Sequence, residues 1–262
     1  MSITAVILQP GYIPWLGFFD LIAQADIFVF LDDVQFTIRD WRTRNRIRTD
    51  RGWCWLSVPV KLEKPYFQYK INEVEISYEH RWIKKHLGTL WAYYRRAKYF
   101  NEIYPIIENE LTKRYKLLWE LDINIIYSIC DYLGISRDKF RLASEFSIPQ
   151  EIKKDERLLA ILKLLKPKPD IYLSGNAAKS YLREDIFLRE GISVRWHNYK
   201  HPYYNQLRWG TNIFISYLSV LDILFNHGKE SIDIIRGRIN IQPPVDVQII
   251  TADDYYKRKE VM

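Results

Sequence analysis

Cysteine is almost missing from this chain: 262 residues carry two, Cys54 and Cys130. So sparse a pair is no disulfide framework, and neither residue shows metal-ligand spacing, so both read as buried thiols of a reducing compartment. Histidine is nearly as scarce, with five residues, of which His80 is the first. No uninterrupted apolar run reaches the roughly 18–20 residues that a membrane-crossing helix needs. The N-terminus has no positive region ahead of its apolar run, so no secretory leader is evident, and lipidation motifs are lacking. Internal repeats and low-complexity segments are absent too. Together these absences point to a cytoplasmic protein with no membrane partner.

What is abundant is aromatic and cationic. Nine Trp and nineteen Tyr bring the aromatic share to 15%, within a chain that is 48% hydrophobic and 27% charged. That balance fits a globular fold and excludes a disordered one. The rings can fill a core or line a pocket for a sugar or a nucleotide base. A net charge of +7 and a pI near 9.2 suit an anionic partner, whether nucleic acid, anionic membrane or nucleotide phosphate. Charge alone does not choose among them.

Residues 3–8 form a short apolar run that breaks at Gln9-Pro10-Gly11, a buried strand followed by a loop. Residues 14–25 carry helical spacing, and 27–31 are a second apolar strand ending at Asp32-Asp33. Strand, helix and strand within about 30 residues outline a parallel βαβ unit. Residues 37–51 are very basic, with arginines at 39, 42, 44, 46, 48 and 51. Strands are predicted at 53–60, 71–76, 171–173 and 192–196. Helices are predicted through 79–133, over 157–165, and over 214–225, the last closed by Asn226-His227-Gly228. The tail from 242 is read as an irregular strand or a loose end. The organisation expected is a single α/β domain over 1–240 with a helical insertion at about 79–165, then a tail over 241–262.

Ligands of open parallel sheets sit beyond the carboxyl ends of the strands. Three predicted strand ends carry polar groups: Gln9-Pro10-Gly11-Tyr12, Asp32-Asp33, and Ser174-Gly175-Asn176. Gly11 would let backbone approach a ligand, or the segment is simply a turn and the aspartates a helix cap. Arg42 and Arg44, beside Trp41 and Asn45, suit bidentate grip on phosphate, or form a solvated face. Residues 197–206 pack two histidines and three tyrosines after a strand, and His201 is the natural general base there, unless it is a structural His-Pro turn. No metal site is expected, because no His, Asp and Glu set has ligand spacing.

Gln9-Pro10-Gly11-Tyr12-Ile13-Pro14-Trp15-Leu16-Gly17-Phe18-Phe19-Asp20, Asp32-Asp33-Val34-Gln35, Arg44-Asn45-Arg46 and Trp55-Leu56-Ser57-Val58-Pro59-Val60 resemble the WbqC-like family. The later stretches Tyr203-Tyr204-Asn205-Gln206 and Leu218 to Gly228 match as well, so the resemblance covers roughly residues 3–230. It implies Gln9, Tyr12, Asp32, Asp33, Gln35, Arg44, Asn45, Gly175, Gln206 and Asp222 as recurrent polar positions. Gly11 stands where the family more often has a bulky residue. The resemblance also implies bacterial surface-polysaccharide (O-antigen) biosynthesis and attachment of an amino acid such as glycine to an amino sugar. At fold level the first βαβ unit is similar to pantothenate synthetase and the nucleotidylyltransferases, although their His-x-Gly-His element is missing here. The fold class expected is therefore α/β, with a mostly parallel, nucleotide-binding-like (HUP/Rossmann-like) sheet and a helical middle.

The leading expectation is an enzyme joining an amino-acid carboxylate to the amine of a nucleotide-linked amino sugar, using ATP and magnesium or a charged tRNA as donor. Asp32, Asp33 and His201 are its expected catalytic groups. Gln9, Tyr12, Gln35, Arg42, Arg44, Asn45, Ser174, Gly175, Asn176, Tyr204, Gln206 and Asp222 are its expected binding groups. The alternatives are a non-catalytic nucleotide-sugar or glycan-binding accessory protein, and a nucleic-acid-binding protein.

Overall fold

The computed structural model describes residues 2–207 and 210–255, and the chain gathers into two compact units. The first comprises residues 1–10, 21–34 and 136–200; the second comprises 11–20, 35–135 and 201–262. Of the helical middle, 79–135 belong to the second unit and 136–165 to the first.

The first unit is built on a five-stranded sheet, parallel throughout, in the order Phe140–Leu142, Ile27–Phe30, Thr4–Leu8, Ile171–Gly175, Ser193–His197. Numbered along the chain, these strands run 3-2-1-4-5, the doubly wound order of Rossmann-like sheets. The α/β class and the mostly parallel, nucleotide-binding-like sheet are thus what the chain forms. Its three central strands are almost wholly buried and, apart from the end of the Ile171–Gly175 strand, read as apolar runs, as covered parallel strands do. On one face Ala5, Ile7, Ile27, Val29 and Tyr172 pack with Leu158, Ile161 and Leu162 of helix Lys154–Leu164 and with Phe187 of helix Glu184–Arg189. Alternate residues, Phe28, Phe30 and Phe140, form a ring cluster with centroids 5.1 to 5.7 Å apart.

The second unit contains an antiparallel hairpin, Arg44–Thr49 with Gly52–Ser57, and the helices Trp82–Tyr94, Phe100–Thr112 and Leu118–Tyr132. The latter two pack on one another, burying Ile103, Ile107, Leu121 and Ile125. The predicted helix over 214–225 divides. Ile213–Ser216 is a strand that pairs in parallel with Gln248–Thr251 from the tail. The helix proper is Val220–His227, begun by Ser219, whose hydroxyl accepts the Leu221 N–H at 3.1 Å. An N-cap needs extended backbone ahead of it, so helical periodicity could not carry through Ser219. Cys130 is buried but Cys54 only partly so, and burial pushes the Cys54 thiol up to about 11. Among the described residues no helix is long and apolar enough to cross a membrane.

Candidate functional site

The switch point of a 3-2-1-4-5 sheet lies between its first and fourth strands, here Thr4–Leu8 and Ile171–Gly175. In doubly wound sheets the connections of such neighbours leave toward opposite sides, which opens a crevice at the carboxyl ends. Gln9 follows the first strand and is half-buried; Gly175 ends the fourth and Asn176 follows it, exposed. A Cβ added at Gly175 would meet nothing within 4 Å, so its backbone faces open space. Ser174 is buried one residue earlier.

The second strand of the sheet delivers the two aspartates. Asp32 is fully buried, and its Oδ1 accepts the Ser144 N–H at 3.0 Å, joining it to the end of the third strand. Asp33 pairs through Oδ2 with Arg157, whose Nη1 also donates to the Pro149 carbonyl at 3.3 Å. Asp33 Oδ1 and Arg157 Nε are both buried without a hydrogen-bond partner. A buried carboxylate oxygen left unpaired costs on the order of 1–3 kcal/mol, so Oδ1 stands ready for a donor that a ligand would bring. Arg157 was missed in the sequence, where it reads as the first residue of a helix; Ser144 gave no signal, lying 112 residues from its partner. Magnesium arriving with nucleotide phosphates commonly needs one or two carboxylates, and Asp33 is a residue that would hold it. Among the described residues, no group of three His, Cys, Asp or Glu is placed to share a metal ion.

The other expected site residues lie in the second unit, and most are joints of its interior. Asp222 is fully buried. Its Oδ1 accepts Tyr94 Oη at 2.7 Å, and its Oδ2 accepts Tyr204 Oη at 2.9 Å and Gln206 Nε2 at 2.8 Å. Burial raises its carboxyl above the usual range, against the pull of those hydrogen bonds. Gln206 also bonds both backbone groups of Ile215, at 2.8 and 3.0 Å. Tyr12 is buried, with Oη 2.9 Å from His86 Nδ1, and burial holds that phenol well above its ordinary value. Burial likewise lowers His86 to about 4, leaving a neutral ring that hydrogen-bonds the Ser57 carbonyl at 3.1 Å. Asn45 donates to the carbonyls of Tyr12 and Ile13 at 3.2 and 2.9 Å.

Gly11 lies in a close approach: a Cβ there would stand 3.0 Å from the Trp41 carbonyl oxygen, the same oxygen that accepts the Tyr12 N–H at 2.9 Å. Gly17 is covered by the Trp15 indole, which stands where a Cβ would be. Neither glycine therefore offers open backbone to a phosphate. Arg42 pairs with Asp40 at 2.7 Å, and Arg44 donates to the Arg39 carbonyl at 2.6 Å while lying 4.2 Å over Trp55. Gln35 is exposed and bridges to Lys70. His201 accepts the Tyr217 N–H at Nε2, 3.1 Å, with Nδ1 2.9 Å from the Pro202 carbonyl. Burial lowers it to about 4. A base role would need Nε2 released from that amide.

Residues 9–234 match the family described as the WbqC-like protein family. The chain belongs to that family. An uncharacterized protein of Mycobacterium tuberculosis is 40% identical over 232 residues, covering 88% of this chain and 96% of that protein. No solved structure matches. For this WbqC-like chain the match spans both units. It takes in the strand-end residue Asp33 and its helical partner Arg157, as well as the buried joints around Asp222.

Proposed function

We propose that this WbqC-like protein is a cytoplasmic biosynthetic enzyme of bacterial surface-polysaccharide assembly. It forms an amide between an amino acid and the amine of a nucleotide-linked amino sugar. The observation that carries the reading is the buried, unpartnered Asp33 Oδ1, which follows the strand next to the switch-point pair of a doubly wound parallel sheet. Such crevices take nucleotides, and an unpaired buried carboxylate oxygen is suited to orienting an amine and accepting its proton. The amine nitrogen attacks the carbonyl carbon of an activated aminoacyl group. A C–N bond forms, the activating C–O bond breaks, and one amine proton passes to Asp33. Activation is by ATP with magnesium, giving AMP as leaving group, or is already present in a charged tRNA. Arg157 holds Asp33 in place, and Gly175 with Asn176 lets the ligand approach the backbone. His201 is set aside as the base, since both ring nitrogens meet backbone groups.

The test is incubation of the purified chain with ATP, glycine and a dTDP-linked amino sugar, following AMP release and the mass of the sugar nucleotide. A glycyl mass gain that falls at least 100-fold in Asp33→Asn, in a variant that melts like the parent, supports the reading. Product only with charged tRNA selects that donor. Tight sugar-nucleotide binding with no turnover under either condition would replace the enzyme with an accessory binding protein.

A further inference from the structure

A second feature lies wholly within the helical part of the second unit. Helix Trp82–Tyr94 and the segments at Tyr78 and 104–114 enclose a groove of about 640 Å³, a size that suits a small-molecule ligand. Its lining joins the rings of Tyr78, Trp91 and Tyr104 to the cations of Arg81, Lys84 and Arg114, and contains no carboxylate. Two acids outside the lining reach its rings, Glu108 at Tyr104 and Glu120 at Tyr78. The rings already hold cations: the Arg114 guanidinium lies 4.6 Å over Tyr78 and that of Arg95 lies 4.2 Å over Trp91. Trp91 is nonetheless 50% exposed. A large indole left half in water beside unneutralised cations is the arrangement that stacks a base while gripping its phosphate.

Gly88 adds an independent observation. It sits inside the helix, where glycine is unfavourable, yet a Cβ added there would meet nothing within 4 Å. Packing within the protein does not require it. It lines the groove, and a bare backbone there leaves the space open for an occupant.

We propose that this groove binds a nucleoside phosphate, with the base on Trp91 and the phosphate held by Arg81, Lys84 and Arg114. The site shares no residue with the strand-end site and does not rest on the amide-forming reading. The ligand is either a free nucleotide or the end of a single-stranded RNA, since both present a base and a phosphate. Calorimetric titration of the intact chain with UDP, uridine, inorganic phosphate and a short single-stranded RNA tests it. The expected result is that UDP or the RNA binds at least tenfold more tightly than uridine or phosphate. Gly88→Leu, which fills the groove with a better helix former, and Trp91→Ala should each weaken that binding at least tenfold without lowering the melting temperature of Gly88→Leu. Preference for UDP or for RNA identifies the source. Binding untouched by both variants, phosphate binding as well as UDP does, or no binding at all would each overturn the proposal.

Discussion

Ile13 and Tyr217 hold positive φ angles of 45° and 60°, where a β-branched or bulky side chain costs on the order of 1–3 kcal/mol. Each is held by a polar side chain of the same unit. The Asn45 amide donates to the Ile13 carbonyl, and His201 Nε2 accepts the Tyr217 N–H. This gives an expected binding group, Asn45, and an expected catalytic group, His201, an architectural role. It also fixes the protonation of His201: Nε2 must keep its lone pair, so the ring is neutral in the folded chain, consistent with burial lowering it to about 4. The unfolded chain titrates near 6.5 and binds the proton first as pH falls. Stability from this group is therefore complete above about pH 6.5 and is lost as pH falls from there toward 4, on the order of 2 kcal/mol between pH 7 and 5. Urea midpoints at pH 7 and 5 should fall less in His201→Asn than in the parent. Parallel falls would refute the neutral, amide-bound ring. Asp33 differs in kind from these joints, because one of its oxygens is left without a partner.

Among the elements, the helix Trp82–Tyr94 and the hairpin strand Arg44–Thr49 show how local composition misleads in opposite directions. The run of arginines looks like a solvated or phosphate-gripping loop. It is a strand whose alternate cations are drawn inward by aromatic neighbours and acceptors. Arg46 is buried, with its guanidinium 4.8 to 5.3 Å from the rings of Trp41, Trp53 and Trp55. Buried Arg48 donates to the carbonyls of Gly52 and Ile213, both at 3.2 Å. The helix, by contrast, reads correctly as a helix but hides the meaning of its glycine. Since the Gly88 Cβ position is open, Gly88→Ala should stabilise the chain by about 0.5–1 kcal/mol. In a chain of this size that corresponds to a rise of roughly 1–4 °C in a thermal melt. A fall in melting temperature would show that the space beside Gly88 is filled in the folded chain.

For the whole molecule, a net charge of +7 should speed the approach of nucleotide anions. Stopped-flow association of a sugar nucleotide is expected to slow several-fold between about 0.05 and 0.3 M salt, because screening shortens the reach of that field. An association rate indifferent to salt would mean that net charge plays no part in capture. Composition and period by themselves determined the α/β class, the first βαβ unit, the long helices, and the strand ends where Gln9, Asp32, Asp33 and Ser174 to Asn176 stand. These follow from local physics: apolar runs of strand length, helical spacing, and turn residues that break them. Phe140–Leu142 escaped because three residues carry no period, and only pairing with Ile27–Phe30 makes them a strand. Tertiary structure alone decided which polar residues became joints and which kept an open valence. Tyr12, Asn45, Gln206 and Asp222 look in the sequence like Asp33. What separates them is whether partners from distant parts of the chain saturate their hydrogen bonds, and that depends on three-dimensional proximity, which no local pattern encodes.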